Sequence, residues 1–124
     1  MATRQITAEN LEETLKNNSI VLLDFWASWC GPCLSFGPTF EAASEAHADI
    51  VFGKVDTEAE KSLAQQAHVQ SIPTIMAFRD NVLVFAQPGA MSPKMLDELI
   101  ERVRVLDMEE VRTALKDQKD PAQS

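Results

Sequence analysis

The chain has 124 residues, enough for one domain with a sizeable core but not for two. Hydrophobic residues make up 45%, which excludes the apolar depletion of a disordered chain, and no apolar run reaches the length of a membrane helix. A net charge of −8 repels phosphate backbones and anionic lipid, so no nucleic-acid or membrane partner is expected and the acidity reads as solubility.

The opening Met1-Ala2-Thr3-Arg4-Gln5-Ile6 lacks the apolar core of a signal peptide, which makes cytoplasm the expected location. Thr7 is a candidate cap for a helix through Leu11 and Leu15, ending near Asn17-Asn18. Ile20 to Trp26 then carries apolar residues at both parities, broken only by Asp24, and predicts a strand buried on both faces. After the short loop Ala27-Ser28-Trp29 comes Cys30-Gly31-Pro32-Cys33, and a helix is predicted from Pro32 to about His47, kinked at Gly37-Pro38. Ile50 to Val55 reads as a second strand and Glu58 to His68 as a helix. Thr74–Phe78 and Val82–Ala86 read as strands joined by a hairpin at Arg79-Asp80-Asn81. Ser92 as cap and Pro93 in the first turn open a helix with Leu96, Leu99, Ile100 and Val103 on one face. Asp107 could cap a further short helix bearing Met108, Val111 and Leu115, with a frayed polar tail from Lys116. Strand–helix–strand order gives a parallel sheet core, and the late hairpin adds an antiparallel edge.

The chain holds two cysteines, three positions apart. In a reducing compartment such a pair reads as redox-active or metal-binding rather than as a structural staple. Residues i and i+3 on a first helical turn are close enough to close a disulfide. The first of them sits among unpaired backbone N–H groups at the positive end of the helix dipole, where a thiolate is stabilised. A free thiol, at about 8.5, is only a few per cent ionised at pH 7, whereas one lowered to about 7 is half ionised. Pro32 lacks an N–H where the helix would leave one unpaired, and it stiffens the turn. Structural zinc needs four ligands; no second cysteine pair exists, and His47 and His68 fall on separate helices.

From Trp26 to Cys33 (Trp-Ala-Ser-Trp-Cys-Gly-Pro-Cys) the chain resembles the thioredoxin family. Asp24 stands where that family has a buried aspartate, and Pro38 matches its helix-kinking proline. Lys54 matches a lysine on the adjacent strand. Ile72-Pro73-Thr74 resembles the cis-proline loop, and Gly89 the glycine before the last helix. The resemblance covers about residues 3–106. It implies a thioredoxin fold: α/β, a central mixed sheet of four to five strands flanked by helices. Here residues 1–106 form the domain, and 107–124 a short helical extension of it.

The resemblance further implies catalytic roles for Cys30, Cys33, Asp24 and Lys54, an active-site turn of Trp29, Gly31 and Pro32, and substrate binding by Trp29, Ile72, Pro73 and Gly89. A Gly-Pro dipeptide between the cysteines implies disulfide reduction. The implied partners are protein disulfides and, as electron donor, a flavin-dependent thioredoxin reductase. No metal or organic cofactor is expected beyond the Cys30–Cys33 disulfide, and the chain is expected to be a monomer. The alternative is a thioredoxin-fold binding module with incidental redox activity. The chain departs from the family at Leu34, where many members carry lysine, at Ser35-Phe36-Gly37, at Pro88, and from Asp107 onward.

Overall fold

A computed structural model describes residues 2–123, with side chains described for residues 2–116. Five strands, β1 (Thr3–Gln5), β2 (Ile20–Trp26), β3 (Val51–Asp56), β4 (Thr74–Arg79) and β5 (Val82–Pro88), form one sheet in the order β1-β3-β2-β4-β5. β1, β3 and β2 run parallel, and β4 and β5 are antiparallel. The helices are α1 (Leu11–Asn17), α2 (Gly31–Ala46), α3 (Lys61–Gln66), α4 (Pro93–Arg104) and α5 (Met108–Gln123).

The continuous apolar run of β2 serves both faces of the central strand. Ile20 and Leu22 enter a layer with Phe36 and Phe40 of α2, Phe52, Ile75, and Leu96, Ile100 and Val103 of α4. Val21, Leu23 and Phe25 point the other way and pack with Ile6, Val55, Leu63 and Met76. Alternation along the strand therefore turns Asp24, which shares the parity of Ile20 and Leu22, towards the α2 layer.

Several expectations change in detail. β1 has no counterpart in the sequence reading: three residues, none of them buried, carry no hydrophobic signal. Its register is held by Ile6 lying on Gly53, where a Cβ would come within 3 Å of the Ile6 and Leu23 side chains. Thr7 does not cap α1. The N-cap is Asn10, whose side chain instead accepts from the Thr7 amide at 2.8 Å and donates to Gln5 O at 3.1 Å. α3 starts three residues later than expected, because Asp56 Oδ1 accepts from the amides of Glu58 (2.9 Å) and Ala59 (3.4 Å) and holds that stretch in a turn.

The β4–β5 loop is two residues, Asp80 and Asn81, with φ of 51° and 66°, the left-handed pair that matches the twist of a tight hairpin. Ser92 caps α4 by accepting from Met95 N at 3.2 Å. Asp107 Oδ1 accepts from Glu109 N at 3.0 Å and opens α5. The frayed tail expected from Lys116 is replaced by helix to Gln123; no glycine or proline between Met108 and Asp120 stops it. Ser124 lies outside the described residues.

Candidate active site

β2 ends at Trp26, and Ala27 to Trp29 turn the chain into α2, whose N-cap is Cys30 itself. Cys30 has extended backbone (φ −93°, ψ 110°), and its sulfur accepts from the Cys33 amide at 3.2 Å. The cysteine thus takes the capping position usually held by serine or aspartate, with its sulfur at the positive end of a 16-residue helix. Pro32 occupies the first turn, where its missing N–H leaves nothing unpaired. Cys30 and Cys33 form a disulfide with Cα atoms 5.2 Å apart. Both cysteines are buried, while Gly31 is exposed beside them and Trp29 stands out at 67% exposure.

The Ile72–Pro73 peptide bond is cis, as the resemblance implies. The loop before β4 approaches the cysteines, and Cys30 Sγ lies 3.8 Å from Ile72 O. Gly89, at φ +105°, donates its N–H to Pro73 O at 2.8 Å; glycine alone adopts that φ without strain. Ile72 therefore lies beside the disulfide although it is 42 positions further along the chain than Cys30, and Gly89 is tied to the same loop through Pro73.

A groove of about 510 Å³ opens beside Cys30, and of the expected site residues Trp29, Cys30, Gly31, Pro32 and Ile72 line it while Pro73 and Gly89 do not. Ser71, whose backbone with that of Ile72 is expected beside the cysteines, lines it too, whereas Thr57, Ala64, Val69 and Gln70 are absent from the sequence expectations. Val69 and Gln70 have a signal that could find them, since they directly precede Ser71-Ile72-Pro73. A second apolar hollow, between β5 and α4 and lined by Val84, Phe85, Met91 and Leu99, includes neither cysteine.

On β2, the strand that leads into the cysteine turn, Asp24 is wholly buried and neither carboxylate oxygen has a hydrogen-bond partner among the described residues. Burial pushes its carboxyl up from 3.8 to about 6, opposed by the field of Lys54. Lys54 stands at the paired position on β3, its Nζ 3.9 Å from Asp24 Oδ2 and 4.9 Å from the centre of the Trp26 ring. The arrangement supplies a sulfur nucleophile at a helix N-terminus, a second sulfur in bonding reach, and a carboxyl that exchanges protons near neutrality. Among the described residues no cluster of three or more His, Cys, Asp and Glu could hold a metal ion, and no helix is long and apolar enough to cross a membrane.

Comparison with known proteins agrees with this geometry. The thioredoxin family model matches residues 2–102. A putative thioredoxin 2 of Streptomyces coelicolor is 52% identical over 98% of this chain and 90% of its own length. A thioredoxin of Coprinus comatus is 35% identical over 75% of this chain and 92% of its own. Among solved structures, a mutant thioredoxin from Halobacterium salinarum superposes with a TM-score of 0.78 at 30% identity, covering 86% of this chain and 95% of that one.

Proposed function

This chain belongs to the thioredoxin family and is a thiol–disulfide oxidoreductase, and on that premise we propose how its residues share the work. Cys30 is the nucleophile. Its thiolate attacks one sulfur of a protein disulfide, forming a mixed disulfide and releasing the other sulfur as a thiolate. Cys33 is the resolving thiol: Asp24 takes its proton, and the new thiolate attacks Cys30 Sγ. The Cys30–Cys33 disulfide forms and the target leaves fully reduced, two electrons having passed to it. The observation that carries this reading is the Cys30–Cys33 disulfide itself, at the N-terminus of α2 with the Cys33 amide directed at Cys30 Sγ. A binding module has no need of two intact cysteines so placed.

In this reading Lys54 tunes Asp24. Trp29, Ile72, Pro73 and Gly89 receive the target's extended backbone in and beside the groove, and Gly31 and Pro32 keep the turn open and stiff. Thioredoxins work without a cofactor, on protein disulfides and with a reductase partner. The proposal adds that the reductase is flavin-dependent, that the protein is a cytoplasmic monomer, and that residues 107–124 extend the domain formed by 1–106. Reduction of insulin disulfides with dithiothreitol as electron source tests the activity. The wild type should accelerate precipitation of the insulin B chain, and Cys30→Ser should not. Equal rates for the two would defeat the proposal.

A further inference from the structure

The mechanism above assigns nothing to Trp26, yet its ring holds the cation that stands beside the buried carboxyl. Lys54 Nζ is 4.9 Å from the ring centroid and 3.9 Å from Asp24 Oδ2. On a third side lies Gly37 of α2, where even a Cβ would stand 3.8 Å from Nζ, so the ammonium rests against a helix stripped of side chain at that point. The Lys54 side chain is 28% exposed. An ammonium is strongly hydrated and sits on a flexible stem, so it tends to swing out to water unless something keeps it in. Asp24 attracts it only while ionised. The indole face attracts it at every pH.

We propose that Trp26 is a positioning residue for the resolving step: its ring holds the Lys54 ammonium beside Asp24 whether or not the carboxyl carries charge. Among the described residues, the groups facing Asp24 leave Lys54 as its one charged neighbour. Across the sheet the positions paired with Asp24 are Ile75 on β4, which carries no charge, and Lys54 on β3, and Lys54 is the charge whose field acts on the carboxyl. A held cation favours the carboxylate at no cost in reorganisation when the proton moves. The inference rests on Asp24 as proton acceptor, but its test uses the oxidised protein with no target, so it can fail while the reductase reading stands.

The experiment is a carbon-13 NMR titration of the Asp24 carboxyl in the oxidised protein. Trp26→Leu and Lys54→Met should each raise the Asp24 midpoint by about half a pH unit or more. The double variant should rise no further than Lys54→Met alone, and Trp26→Phe, which keeps an aromatic face, should retain most of the wild-type value. An unchanged midpoint in Trp26→Leu, or the same increment with and without Lys54, would overturn the proposal. A second measurement needs no variant. The Lys54 ε-methylene protons of the wild type should be shifted upfield by the ring both below and above the Asp24 midpoint; unshifted values at either pH would overturn it as well.

Discussion

At Asp24, β2 turns an ionisable side chain into the layer occupied by Phe36, Phe40, Phe52 and Ile75, and neither oxygen finds a hydrogen bond among the described residues. The carboxyl is raised from 3.8 to about 6, so between those values the folded chain keeps a proton that the unfolded chain gives up. Stability therefore falls as pH rises through this window. The cost is absent below the unfolded value and complete above the folded one, where it reaches about 3 kcal/mol. Asp24→Asn removes the ionisation, so its stability relative to the wild type should climb with pH between about 4 and 6 and then level off. Chemical denaturation at three pH values checks this; a difference that does not vary with pH would contradict it. The same substitution should slow the resolving step at neutral pH, measured by single-turnover reduction of a model disulfide. Asp24 is legible in sequence because one carboxylate interrupts an otherwise apolar run. Its closeness to Lys54 is legible only through the family resemblance, since parallel pairing between residues 30 positions apart leaves no local trace. The Trp26 ring over Lys54 is tertiary in origin and leaves no such trace either.

Among the elements, those with strong local signals are legible nearly to the residue. Ser92 and Pro93 mark the start of α4, Asp107 that of α5, and Asp80-Asn81 the hairpin; each works through hydrogen bonds or dihedrals within a few positions. β1 escapes because an edge strand of three unburied residues is specified by its partner β3 and by Ile6 lying on Gly53. Val69 and Gln70 of the groove escape because they lie between α3 and β4, in a stretch with no helix or strand pattern to place it. The extension is more modest than its apolar stripe suggests: Met108 is buried, Val111 half-buried and Leu115 exposed. Arg112 reaches Asp80 at 3.5 Å, an exposed pair of small value. Arg79 donates to Val103 O and Arg104 O, capping α4 without help from α5. Truncation after Leu106 should thus cost about 1–3 kcal/mol, mostly the burial of Met108, and leave insulin reduction intact. A truncated protein that folds normally but loses activity would place α5 in the functional site.

For the whole molecule, the fold brings three distant segments to one end of the sheet: the N-terminus of α2, the cis-proline loop before β4, and Gly89 after β5. Each alone is a weak indication of function. Both sulfurs are buried, but Cys30 lines the groove and Cys33 does not, an asymmetry that supports the proposed division of attack by Cys30 and resolution by Cys33. The Leu34 and Pro88 departures are both exposed and leave that division untouched. The most direct test is covalent trapping with each single-cysteine variant and a disulfide-bonded protein target, read on non-reducing gels. Cys33→Ser should accumulate the mixed disulfide, because the bond made by Cys30 then has no resolving thiol, and Cys30→Ser should accumulate none. Equal trapping by both variants, or trapping by Cys30→Ser alone, would contradict the account.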